Sequence, residues 1–314
     1  MKKTMAVAVS LMGMLSSSWA KAETSATGSL ALLDRPLVLR ESEIAPSVRT
    51  EITNASIHGV NGTGASLVIG ADVGLTDSLQ VGMAIGMPLI PNPDFGAVVG
   101  SGVWGMHEAY GARLDIAYSR DLSTDFSDSS SRSAVHVGLG LPVKLTLSPI
   151  LAVVSGGTAA SRFGRFLNKA ASNGPFTVST FSLTPVFGSD LVTYSHSSFE
   201  ESSSDGVTLN LPLGLQVQPH ERFALALRTG YVLSYASSSS SAGILGSIST
   251  SATAHYLPME IEAVASVLPQ LDVGASFGLM GALSSSLSFG SSSLSLDTGY
   301  ADIRMITVFA QGRF

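Results

Sequence analysis

Apolar residues in this chain recur at every second position, segment after segment, and that alternation limits what it can fold into more than any other feature. From Val207 the odd positions are Val207, Leu209, Leu211, Leu213, Leu215 and Val217, while the even ones are Thr208, Asn210, Pro212, Gly214, Gln216 and Gln218. A period of two puts every apolar side chain on one face of a β-strand. The same holds from Val135 to Leu147, from Phe223 to Tyr235, and around Leu79, Leu257 and Leu271. A helix crossing a bilayer needs ~20 consecutive apolar residues, and the nearest candidate in the body of the chain, residues 273–283, runs into Ser284-Ser285-Ser286. Yet 45% of the 314 residues are hydrophobic and only 13% charged, with mean hydropathy +0.36, against roughly 25% charged residues in soluble domains. The chain has the apolar content of a membrane protein in the pattern of a sheet.

The connections alternate as the residues do. Tight turns are predicted at Thr76-Asp77-Ser78, Ser148-Pro149, Gln218-Pro219-His220-Glu221 and Leu268-Pro269-Gln270, and longer serine-rich links at 123–133, 200–205, 237–251 and 284–293. Short turns at one end and long polar loops at the other are the layout of a transmembrane antiparallel up-and-down β-barrel, an all-β fold with apolar residues outward and polar ones inward. Only helices and closed barrels satisfy every backbone group in lipid. Strands are expected at 47–58, 64–75, 79–89, 95–105, 110–122, 132–147, 150–161, 176–188, 190–200, 206–217, 222–236, 253–267, 271–284 and 298–314. That makes about 14 strands, with 12 as the alternative, and barrels of this kind take an even number.

Residues 1–22 read as a secretory signal peptide: Lys2 and Lys3, an apolar stretch from Met5 to Leu15, then Ala20-Lys21-Ala22 as a small-x-small cleavage site. Residues 23–46 precede the first strand and form either a periplasmic N-terminal segment or a partial plug, and residues 47–314 form the barrel. Without Lys2, Lys3 and Lys21 the chain keeps 14 basic against 23 acidic residues, a net of −9, which argues against nucleic acid as a partner. With no cysteine, a disulfide scaffold is excluded.

The last segment alternates Ile306, Val308, Ala310, Gly312 and Phe314 against Thr307, Gln311 and Arg313. It resembles the closing strand of bacterial outer-membrane β-barrel proteins. In that family the terminal Phe and the alternating apolar residues are the signal read by the barrel-insertion machinery, so the resemblance implies that role for Phe314. It also implies location in the cell outer membrane, with lipids and lipopolysaccharide as partners of the outward face.

Motifs that would carry chemistry are sparse. Gly274-Ala275-Ser276-Phe277-Gly278 fits the G-x-S-x-G nucleophile elbow, which requires a later histidine, but the last one is His255. Gly100-Ser101-Gly102-Val103-Trp104-Gly105 fits G-x-G-x-x-G, which has meaning only where a strand feeds a helix, and no helical period follows. His196-Ser197-Ser198 looks like the His and Ser spacing of outer-membrane phospholipase and lipid A deacylase barrels, although Phe199 stands where those families place Asn. No histidine spacing suits a metal, and no cofactor is expected.

Inward charge remains. By parity Arg113, Asp115, Lys144, Arg228, Glu260 and Glu262 face the lumen, where rings of charge set solute selectivity or pair with one another to fill a closed interior. The sequence therefore points to a porin-like channel for passive passage of small hydrophilic solutes or ions, with no catalytic residues. The alternatives are a lipid hydrolase using His196 and Ser198, and a structural or adhesive barrel with serine-rich external loops.

Overall fold

The computed structural model describes residues 32–57, 60–90, 97–122, 131–155, 190–199, 202–241, 247–289, 292–294 and 302–314. After one turn of 3-10 helix at Leu32–Asp34, the strands in chain order are β1 (Ile44–Ile57), β2 (Val60–Thr76), β3 (Leu79–Ile90), β4 (Ala97–His107), β5 (Tyr110–Leu122), β6 (Ser131–Gly140), β7 (Val143–Ser148) and β8 (Leu151–Ser155). They continue with β9 (Asp190–Phe199), β10 (Ser202–His220), β11 (Phe223–Ser241), β12 (Ser247–Leu268), β13 (Leu271–Phe289), β14 (Ser292–Leu294) and β15 (Asp302–Gly312).

Twelve of these close into an antiparallel ring: β1 to β6, then β9 to β13, then β15, with β15 returning to β1 and β10 pairing with β11. β7, β8 and β14 are additional. The twelve-strand alternative is the one realised, and the reason lies in one part of the wall. Tyr110 of β5 faces Val143 of β7 in the register that pairs Arg113 with Gly140 of β6, so β6 and β7 are successive stretches of the single strand expected at 132–147. β8 and β9 likewise occupy successive levels between β7/β6 and β10: Gly214 of β10 faces Val154, and Leu209 faces Val192. The expected strands at 150–161 and 190–200 thus occupy one position in the wall, and that at 176–188 lies outside the described residues. Pro212, between those levels, accepts a bond from Ser155 Oγ at 2.8 Å and has no N–H to satisfy.

Two-residue turns at 77–78, 108–109, 149–150, 221–222 and 269–270 define the turn end of the barrel; the sequence reading missed the one at 108–109. Both ends of the wall also meet there. Ile44 N donates to Phe314 O at 2.8 Å and Phe314 N to Ile44 O at 2.9 Å, which joins the last residue to the first strand.

The alternation sorts residues by face as the pattern requires. On β10, Leu211 is 65% exposed and Asn210 1%. Outward apolar residues from Val207 to Val217 cover about 25 Å along the barrel axis, taking a rise of ~3.4 Å per residue and a tilt of ~40°. Trp104 and Tyr110 stand outward near the turn end, and Tyr118, Tyr194 and Tyr235 outward toward the other. In lipid vesicles, a spin label at Leu211→Cys or Leu213→Cys is expected to collide freely with dissolved oxygen, and one at Asn210→Cys or Gln216→Cys to be protected. The reverse order would show the faces to be misassigned.

Candidate functional site

The chain reaches its first strand by crossing the lumen. Leu32 packs with Ala224, Val264 and Phe309, and Leu33 with Ala152 and Val154. Leu37 and Val38 lie against Gly111 and Gly105. These partners sit on β11, β12, β15, β8, β5 and β4, on opposite sides of the ring, so residues 32–40 span the turn end and do not follow one wall.

Side chains of the wall hold the crossing segment. Gln218 Oε1 accepts Leu33 N–H at 2.8 Å, and Gln80 Oε1 accepts Leu39 N–H at 3.0 Å. Lys144 Nζ donates to Leu33 O at 2.9 Å and to Arg35 O. Arg35, the most deeply buried charge among the described residues, pairs with Asp272: Nη2 reaches Oδ1 at 2.9 Å and Nη1 donates to Oδ2. Ser266 Oγ accepts from Arg35 Nη2 at 3.0 Å and donates to Asp272 Oδ1 at 2.8 Å. Both ions are almost fully buried, and a charge removed from water in this way needs its partner, since an isolated one is very costly.

Backbone shape makes room for the segment. A Cβ on Gly74 would stand 1.8 Å from Arg40 O, and one on Gly105 3.3 Å from Val38 Cγ2. Residues 40–43 then form a turn, with Glu43 N donating to Arg40 O at 3.1 Å and Ser42 at φ 64°, the positive value that some turns require at the third position. From Ser42 the wall backbone takes over, as Ser42 N donates to Gly74 O at 2.9 Å. Burial of Leu32, Leu33, Leu37, Val38 and Leu39 contributes on the order of 10 kcal/mol. Ordering the segment's backbone costs a similar amount, so the polar ties decide whether it stays.

The charges singled out in the sequence all face inward. Arg113 Nε bonds Asp115 Oδ2 at 2.8 Å. Arg228 meets Glu260 at 3.0 Å and Glu262 at 2.7 Å. Lys144 serves the crossing segment, away from both clusters in role. Phe314 joins the barrel seam. His196, on the outward face, has Nδ1 2.8 Å from Asp205 Oδ1, which also accepts Tyr194 Oη–H at 2.6 Å; the side chain of Ser198 lies outside the described residues. Ser276 is buried on the inward face of β13, in a strand, without the turn into a helix that a nucleophile elbow needs. Among the described residues no group of three His, Cys, Asp or Glu could hold a metal.

Sequence reasoning missed Arg35, Asp272, Ser266, Gln80 and Gln218 as a set. One signal was available: Phe309 is a large apolar residue on the polar parity of its strand, and its partner turns out to be Leu32.

No protein-family model matches the sequence, and no curated protein matches it significantly. Solved structures do. An outer membrane channel from Pseudomonas putida aligns over 90% of this chain and 98% of its own, with 9% identity and a TM-score of 0.44. The beta domain of the Bordetella autotransporter BrkA aligns over 87% and 100%, with 10% identity and a TM-score of 0.42. The outer membrane protease OmpT from Escherichia coli aligns over 90% and 100%, with 12% identity and a TM-score of 0.33. These superpositions are loose, and the barrel assignment rests on the strand pairing itself.

Filling the space that Gly105 leaves for Val38 is expected to dislodge the segment. In Gly105→Leu, exchange of the Leu39 amide measured by mass spectrometry or NMR rises by about two orders of magnitude while wall amides keep their protection. Unchanged protection at Leu39 would show that the glycine groove does not seat the segment.

Proposed function

We propose that this chain is an outer-membrane β-barrel that passes small hydrophilic solutes or ions without chemistry of its own, along a path narrowed at the turn end by residues 32–40. The contrast between the two faces of the wall carries this reading. Outside, an apolar band of about bilayer height is flanked by aromatic residues, the arrangement that suits lipid. Inside, Asn210, Gln216, Glu260 and Glu262 lie on the inner face of the same strands, with Arg228 between the two carboxylates, a polar lining of the kind that a path for hydrophilic solutes needs. Lipids and lipopolysaccharide are the partners of the outward face, and the strand ending in Phe314 is the handle for barrel assembly.

Arginines next to carboxylates, as at Arg113–Asp115 and Arg228–Glu260–Glu262, give a lumen of mixed sign and so weak ion preference. In planar bilayers the purified protein is expected to conduct, and Arg228→Gln, which leaves Glu260 and Glu262 without their counter-charge, to shift the reversal potential toward cation selectivity. Absence of any conductance above baseline, in the protein and its variants, rejects the pore.

A second reading, lipid hydrolysis at the outward face, is favoured by one contact. Asp205 holds His196 Nδ1 at 2.8 Å, as a carboxylate does when it orients an imidazole for general-base work, and Ser198 lies two residues along the same strand. On this reading His196→Ala and Ser198→Ala each abolish fatty-acid release from phospholipid vesicles. An intact protein that releases none removes it.

A further inference from the structure

The segment across the lumen is fastened in a way that allows it to leave. Its backbone is bonded by wall side chains, Gln80, Gln218 and Lys144, and its one deeply buried cation by Asp272 and Ser266. Every one of these wall groups is polar, so water entering a vacated lumen would solvate them, and the site has a tolerable empty state. The apolar seats left behind are mostly small: Ala152, Val154, Ala224 and Val264, with Phe309 the exception. At the far end, the turn at residues 40–43, with Ser42 at φ 64°, separates the crossing segment from the wall strand β1, whose ladder runs without a break from Ile44 to Ile57 against β2. The segment and the wall are thus two units joined at one turn.

We propose that residues 32–40 are a releasable plug, that the ion pair between Arg35 and Asp272 is its latch, and that the barrel conducts when the latch opens. This rests on the pore reading above and adds its regulation. The latch is well suited to the part. Apolar burial and backbone ordering nearly cancel over the segment, so the balance turns on its polar ties. Removing one partner of the Arg35–Asp272 pair costs the seated segment most, because the other charge would then stay buried without the group that it meets through two bonds. A ligand or partner that offers Arg35 a different anion, or Asp272 a different cation, would bias the same equilibrium, since only a differential interaction with the two states can shift them.

The chain has no cysteine, which allows a direct test in the full-length barrel. A Cβ at position 105 stands 3.3 Å from Val38 Cγ2, close enough for a disulfide in Val38→Cys/Gly105→Cys. In planar bilayers, Arg35→Ala is expected to raise open probability about tenfold or more over the parent protein. The charge swap Arg35→Asp/Asp272→Arg returns it toward the parent value. The oxidised cysteine pair suppresses openings, and a reductant restores them. Exchange at the Leu33 and Leu39 amides, read in parallel, rises in Arg35→Ala and falls in the oxidised pair. If Arg35→Ala and the oxidised pair both conduct as the parent does, the plug is no gate and the pore reading stands. If amide exchange responds as described but no variant conducts, the segment is releasable and the pore reading falls, taking the gate with it.

Discussion

Everything in this structure depends on the backbone hydrogen bonds closing on themselves. A sheet of strands with one apolar face has two edges, each a row of unpaired donors and acceptors, and this chain removes both by pairing β15 with β1 and β10 with β11. The exchange of bonds between Ile44 and Phe314 brings the closure to the last residue. Once the ring is shut, inside and outside are defined, and the period of two assigns every residue to one or the other. The apolar set cannot be moved to the inner face without slipping each strand by one residue.

Closure creates the next problem, since twelve strands enclose more space than wall side chains alone fill; a ring of about eight is near that limit. At the turn end the chain answers with its own N-terminal segment. The wall is shaped for it by what it lacks, Cβ atoms at Gly74, Gly105 and Gly111, and by polar groups aimed inward at its backbone. Leu32 and Phe309 meet on the inner face, where Phe309 is the largest of the buried apolar side chains among the described residues. A bulky aromatic on the inward parity marks this contact between the segment and the wall.

The wall is not uniform either. Between β6 with its continuation β7 on one side and β10 on the other, a single position is built from two stretches of chain, β8 and β9, separated by 34 residues of sequence. Both run antiparallel to β10, and to β7 and β6 respectively, so the ladder tolerates the interruption, and Pro212 stands at the level between them with its carbonyl taken by Ser155. A backbone position facing an interruption is best occupied by a residue with no donor to leave unpaired, and proline is the residue that meets that condition.

The sequence by itself determined the fold class, the faces of the strands, the turn end and the inward placement of Arg113, Asp115, Lys144, Arg228, Glu260 and Glu262. It could do so because a strand's alternation is local: each residue's face follows from its neighbours two positions away. The tertiary structure decided the strand count, the crossing of the lumen by residues 32–40 and the pairing of Arg35 with Asp272. Those depend on contacts between residues far apart in sequence, 237 positions in the case of that pair, and no local period records which distant strands a segment will meet. The sequence left residues 23–46 as either periplasmic tail or partial plug; the ring supplied the space, the glycine groove and the buried carboxylate that placed residues 32–40 inside.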